Sequence, residues 1–216
     1  MADIAAAAFF GAYRLLGRAL IPVLPLALSL RAAQGKEDRS RMGERFGRAS
    51  LPRPAGRLIW VHAASVGETN AVLPLIGRVI GAGASVLLTT VTVTSAKVAA
   101  GRLPAGAVHQ FGPLDVGSII DRFLGHWRPD LALFVESEQW PTTIARLAAA
   151  HVPRIVVNGR LSDRSYRRWL RLGRLVRPIF ARTELCLAQT PRDAERYAAL
   201  GVRDVRVVGN LKFDVP

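Results

Sequence analysis

From residue 57 onward, short β-branched apolar runs alternate with stretches of helical periodicity. This alternation restricts the chain to a parallel sheet covered by helices, because each parallel strand pair needs a long crossover connection and a helix fills it most economically. The runs predict strands over 57–62, 84–90, 107–111, 130–136, 154–158, 184–188 and 204–208, and helices over 68–80, 94–102, 116–126, 140–150, 164–180 and 191–200. Thr94-Ser95 and Thr190-Pro191 place a capping hydroxyl near a first turn, with Pro191 where proline is tolerated. Half of the 216 residues are apolar, enough for a sizeable core.

The first fifty residues differ in character. Residues 4–13 and 19–30 are uncharged and mostly apolar, separated by Arg14 and Arg18, and each run is shorter than the ~18 residues of a confident membrane span. Asp3 stands where a secretory leader would carry basic residues, and no clear Ala-x-Ala cleavage site follows the apolar runs, so the segment is expected to stay on the protein. Arg31, Lys36, Arg39, Arg41, Arg45 and Arg48 come next. Apolar runs followed by a basic cluster make a two-signal anchor to anionic lipid on the cytoplasmic side; a buried hairpin of helices is the alternative. Ser50–Gly56, rich in Pro and Gly, reads as the linker. The expected organisation is therefore a membrane anchor and basic segment over 1–50 and a Rossmann-like domain over 51–216.

Thirty Lys and Arg against sixteen Asp and Glu give a net charge of +14, which calls for an anionic partner: nucleic acid, acidic membrane or a phosphorylated substrate. The one cysteine, Cys186, lies between Leu185 and Leu187 with no cationic neighbour to activate it, so it reads as a buried strand residue. His62, His109, His126 and His151 show no metal-ligand spacing, and no structural zinc is predicted. His62 could line the first strand's exit, but reads first as a satisfied core histidine or one behind the site.

Chemistry-bearing residues gather just after the strand-like runs, where ligands collect in open α/β sheets. The first run feeds Ala64-Ser65-Val66-Gly67-Glu68, which is neither a dinucleotide fingerprint nor a phosphate-binding loop, so no cofactor is implied. Gly67 would let the backbone turn sharply or approach a ligand, and Glu68 could take a proton from an incoming hydroxyl. A helix start lowers a carboxylate's pKa, so burial or a second carboxylate would have to raise it; otherwise Glu68 only complements the helix dipole. Glu136 and Glu138, at i and i+2, would share one side if the fourth strand continued, each raising the other's pKa; the alternative has one capping the next helix. Asn158-Gly159-Arg160-Leu161-Ser162 follows the fifth strand, and Arg164, Arg167, Arg171 and Arg174 then share a helix face suited to phosphate, anionic lipid or solvent. Aromatics do not interleave with this stripe as a nucleic-acid stacking platform needs, so nucleic acid is not expected. Lys212, after Gly209-Asn210, could stabilise negative charge on a sugar-acid carboxylate or departing phosphate.

Trp60–Glu68, Glu136-Ser137-Glu138-Gln139-Trp140-Pro141, Asn158–Ser162 and Gly209–Asp214, in this order and spacing, resemble the N-terminal half of the Kdo (3-deoxy-D-manno-oct-2-ulosonic acid) transferases of lipopolysaccharide synthesis. Arg41–Gly47 is similar to that family's basic segment. The resemblance implies a GT-B fold of two Rossmann-like domains, a membrane-associated N-terminal helix, and Kdo transfer from CMP-Kdo to a lipid A precursor at the cytoplasmic face of the inner membrane. It places Glu68 on the catalytic base and Glu136 and Lys212 on two transition-state-stabilising positions. Ser65, Gly67, Glu138, Asn158, Arg160 and Ser162 are the accompanying candidates for substrate binding. The CMP-sugar site belongs to a C-terminal domain that does not appear in this sequence, so donor binding is expected to need that domain. Ser137 and Gln139 depart from the family's usual threonine and apolar residue and leave the charged positions intact. A non-catalytic module binding an anionic lipid surface is the alternative function.

Overall fold

The computed structural model describes residues 2–214. Helix α1 (Ala2–Leu20) and helix α2 (Leu24–Ala33) meet at a 66° bend, and neither alone is long and apolar enough to cross a membrane. Pro25 sits in the first turn of α2, where its missing N–H costs nothing. A 3-10 turn (Arg39–Arg41) and the short helix α3 (Met42–Arg45) lead into the sheet.

Strands β1 (Leu58–His62), β2 (Ser85–Thr90), β3 (Ala107–Phe111), β4 (Leu131–Val135), β5 (Arg154–Gly159), β6 (Leu185–Ala188) and β7 (Val205–Val207) match the expected runs to within one residue at each end. All are parallel, in the order β3-β2-β1-β4-β5-β6-β7. The crossovers are helices α4 (Val66–Gly81), α5 (Val93–Arg102), α6 (Gly117–Trp127), α7 (Pro141–Ala149), α8 (Asp163–Leu172) with α9 (Arg177–Phe180), and α10 (Pro191–Leu200). Alternate side chains of one strand go to opposite helical layers. Ile59 and Val61 meet Val72 and Ile76 of α4, while Leu58 and Trp60 meet Ile120, Phe123 and Trp127 of α6. With both faces covered, every position of β1 is buried, which is why its run is continuously apolar. Cys186 lies in the third cluster beside Val156 and Tyr197, and burial pushes its thiol up to about 12, as expected of an inert strand residue. This is the Rossmann-like architecture expected from the alternation.

Three local readings are corrected. The 164–180 helix breaks, because Gly173 takes φ +52°, ψ −126°, a conformation open mainly to glycine. Residues Gly173–Leu175 form a 3-10 turn, and Arg174 leaves the stripe formed by Arg164, Arg167 and Arg171. Thr92, not Thr94, caps α5, accepting the Ser95 N–H at 3.1 Å.

The third concerns the basic cluster, part of which turns inward. Arg45 is 4% exposed. It pairs with buried Glu37 at 2.9 Å, donates to the carbonyls of Gly112 and Val91, and stacks on Phe111. Arg41 makes a two-pronged pair with Glu44, both bonds 2.9 Å, and reaches the His109 carbonyl. Glu44 in turn accepts the Phe111 N–H at 2.7 Å. These arginines fasten the N-terminal segment to the carboxyl ends of β2 and β3; Arg45 is withheld from any surface, and Arg41 is partly so. Arg31, Lys36, Arg39 and Arg48 remain exposed.

Candidate active site

Strand order reverses between β1 and β4: the chain winds from β1 through β2 to β3, then returns to β4 on the other side. Crossovers leaving a switch point go to opposite faces and open a crevice at the carboxyl ends of the two strands. The Ser65–Glu68 turn and the 136–140 loop border this crevice.

Ser65 is the N-cap of α4, and Glu68 stands at the capping-box position three residues on, though its carboxylate takes the Ala64 N–H in place of the Ser65 N–H. The Ser65 hydroxyl accepts the Glu68 N–H at 3.3 Å and donates to Glu68 Oε1 at 2.9 Å, while the Ala64 N–H donates to Oε2 at 2.8 Å. These donors and the helix start favour the ionised form, yet the Glu68 carboxyl is held above its ordinary value: burial outweighs them, and the charges of Glu136 and Glu138 add to it. The dipole-complementing role and the base-like pKa coexist in one residue. Of the two roles open to Gly67, the sharp turn is not used: it lies in the first helical turn, and a Cβ there would stand 4.0 Å from Lys212 Nζ.

The fourth strand stops at Val135, and Glu136 takes a left-handed φ of +56°, so the i, i+2 alignment of Glu136 and Glu138 is not realised. A left-handed glutamate persists only where its surroundings fix it. Here its N–H donates to Val157 O at 3.0 Å, and its carbonyl accepts the Tyr197 hydroxyl at 2.6 Å. The Glu136 carboxylate meets Lys212 Nζ at 3.1 Å. Glu138 accepts the Trp140 indole N–H at 2.6 Å, and its carboxyl is raised by burial and then by Glu136.

His62 lies beneath Glu138. The Thr89 hydroxyl accepts the Trp60 indole N–H at 2.8 Å and offers its own proton to His62 Nδ1 at 2.8 Å. The imidazole proton is then assigned to Nε2, 3.9 Å from Glu138 Oε2 and without a hydrogen-bond partner. Burial, with the charge of Arg45 second, pushes His62 down to about 3, so it is a neutral support for the site.

Lys212 reaches the crevice although β7 lies at the sheet edge. The chain recrosses the ends of β6 and β5, anchored by the Asn158 Oδ1, which accepts the Leu211 N–H at 3.0 Å. Asn158 is buried with φ +53°, a conformation asparagine tolerates; its Oδ1 anchors the segment that carries Lys212, and its Nδ2 has no partner among the described residues. Ser162 caps α8, accepting the Ser165 N–H at 3.2 Å. Arg160 is exposed and has no hydrogen bond or ion pair among the described residues. Arg164, Arg167, Arg168 and Arg171 line an open concavity of about 590 Å³, with Asp163 alone of its lining carboxylates and already engaged by Arg192 and Arg196.

Two supports carried little sequence signal. Neither Glu136 nor Glu138 caps α7; Asp115, from the loop after β3, accepts the N–H groups of Thr142 and Thr143 at 3.0 and 2.7 Å. Arg154, at the head of β5, is 1% exposed and holds Gln139 at 3.1 Å from below the 136–140 loop. A charged residue opening an apolar strand was the one hint of it.

Residues 40–215 match the family model described as 3-deoxy-D-manno-octulosonic-acid transferase (kdotransferase). A probable mitochondrial 3-deoxy-D-manno-octulosonic acid transferase of Arabidopsis thaliana is 41% identical over 159 residues, covering 73% of this chain and 36% of that protein. The 3-deoxy-D-manno-octulosonic acid transferase of Rickettsia bellii is 36% identical over 203 residues, covering 93% and 48% respectively. The chain thus spans about half or less of the length of these relatives. UDP-GlcNAc 2-epimerase from Neisseria meningitidis, solved with UDP-GlcNAc, superposes with a TM-score of 0.53 at 13% identity, over 74% of this chain and 47% of that one, a likeness of fold alone.

Proposed function

The chain belongs to the 3-deoxy-D-manno-octulosonic acid (Kdo) transferase family, and from that premise we propose that it supplies the acceptor site and catalytic base for moving Kdo from CMP-Kdo to a lipid A precursor. The observation that carries this reading is Glu68: a buried carboxyl with raised proton affinity, fixed at the switch-point crevice beside the Glu136–Lys212 pair. Glu68 takes the proton of the acceptor hydroxyl as its oxygen bonds to the anomeric carbon of Kdo, and the bond to CMP breaks with its electrons leaving on the phosphate. Ala64 N–H and Ser65 O–H each engage one Glu68 oxygen, and each carboxylate oxygen keeps further acceptor capacity for a substrate proton. Lys212, held by Glu136, offers a fixed cation for charge developing on the sugar carboxylate or departing phosphate.

The protein works, in this reading, on the cytoplasmic side of the inner membrane. Ile4, Leu15, Leu16 and Leu20 of α1 and Leu26 and Leu30 of α2 are between 46% and 74% exposed, an apolar surface suited to the acyl boundary of a bilayer. Arg160 and the α8 arginines add attraction for anionic headgroups or acceptor phosphates.

The test is Kdo transfer by the purified chain supplied with the C-terminal half of a curated relative, followed by mass spectrometry. Product that disappears with Glu68→Ala supports the reading. Unchanged turnover in that variant sinks it, and lipid binding without transfer under any condition favours the non-catalytic membrane module.

A further inference from the structure

An apolar groove of about 300 Å³ separates α1 from α7 and α9. Ala6, Ala7 and Phe10 form one wall, and Pro141, Ala145 and Ile179 the other. Its volume is at the lower end of ligand pockets, which run from ~300 to ~1,000 Å³. Arg14 and Arg182 stand at its rim, both exposed and neither paired with a carboxylate among the described residues. Tyr13 and Pro141 also line a second, polar pocket of about 270 Å³ that contains Glu138, Trp140 and Arg168. The shared wall is fixed: the Tyr13 hydroxyl donates to Asp115 at 3.0 Å, and the same carboxylate holds the start of α7. An apolar slot with free guanidinium groups at its edge therefore abuts the polar pocket beside the proposed catalytic residues.

We infer that this groove holds one acyl chain of an amphiphilic phosphate acceptor, with Arg14 and Arg182 taking the phosphate and the sugar end entering the polar pocket beside Glu138. The inference rests on the proposed reading and adds a subsite to it. Guanidinium groups free of carboxylates recognise phosphate, and an amphiphile satisfies both these groups and the apolar walls. Occupancy would bury the inner face of α1 while its outer leucines stay available to a bilayer.

The probe is dodecyl phosphate below its critical micelle concentration, titrated calorimetrically into the full chain, with inorganic phosphate and dodecyl maltoside as comparisons. Dodecyl phosphate is expected to bind at least tenfold more tightly than either. Ala145→Phe, which fills the groove, and Arg182→Glu, at an exposed position with little bearing on folding, should each weaken it about tenfold or more, while Glu68→Gln should not. Wild-type affinity in Arg182→Glu, or a loss confined to Leu16→Ser on the outer face of α1, would overturn the inference. In the reconstituted transfer assay, Arg182→Glu should raise KM for an acylated phosphate acceptor and leave that for a deacylated, dephosphorylated acceptor unchanged; equal effects on both would also overturn it. Absence of transfer by the wild type, with dodecyl phosphate still bound in the groove, would remove the catalytic reading and leave the subsite standing.

Discussion

Replacing Arg45 by Met separates two accounts of the N-terminal basic segment. If Arg45 served lipid, as its place in a basic cluster suggested, its loss would weaken vesicle binding and barely alter stability. In the structure the guanidinium is 4% exposed, pairs with Glu37 at 2.9 Å, and supplies the Gly112 and Val91 carbonyls. Methionine would fill part of the space but leave the Glu37 carboxylate, itself 6% exposed, with only the half-exposed Arg31 at 3.1 Å, and leave two carbonyls unpaired. Breaking a buried pair by removing one partner costs about 3–5 kcal/mol. With a urea slope of about 2–3 kcal/mol/M, the unfolding midpoint should fall by about 1–2.5 M. Combining Arg45→Met with Glu37→Leu should return most of the loss, because an apolar pair of similar volume is often no less stable than the ion pair it replaces. Urea unfolding followed by tryptophan fluorescence measures both. A midpoint shift below about 0.3 M in the single variant, together with lost vesicle binding, would refute the internal role.

Further outcomes follow from the same geometry. Gly47→Ala should destabilise by at least about 2 kcal/mol, because φ is +74° and the new Cβ would clash with the Ile119 carbonyl oxygen; an unchanged melting temperature would contradict that approach. Asn158→Ala removes the Leu211 anchor and should cost about 1–2 kcal/mol in stability and at least tenfold in transfer, by loosening Lys212; full turnover would show that Lys212 needs no such anchor. The acidic limb of the transfer rate should lie above the ordinary glutamate value of 4.5, since the base must be ionised and Glu68 is shifted upward; a limb at or below 4.5 would contradict the assignment. His62 and His109 are pushed down to about 3 and are neutral in the fold, while the unfolded chain takes up protons near 6.5. Their contribution is complete above 6.5 and is lost as pH falls toward 3, by up to ~1.4 kcal/mol per pH unit for each, and His62→Phe should flatten that slope in urea titrations at several pH values.

Much of the sheet was legible because its signal is local. A strand buried on both faces must be continuously apolar over four to six residues, and nothing but a parallel sheet uses several such runs separated by helices. The candidate residues were legible for a related reason: strand ends are where polar side chains first become useful, so Glu68, Glu136 and Lys212 stood out beside their runs. What Glu68 does electrostatically was not legible, since its pKa depends on burial competing with Ser65 and Ala64, and burial belongs to the packed chain.

Contacts between residues distant in sequence were decided by tertiary structure. Lys212 meets Glu136 because Asn158 draws the chain back across the sheet, and Asp115 caps a helix that begins at Pro141. Arg41 and Arg45 looked like surface charge until the ends of β2 and β3 supplied their partners. Periodicity and turn chemistry act over a few residues and are written in the chain; desolvation and ion pairing act through space, so they come into being only once the fold has set which groups face one another.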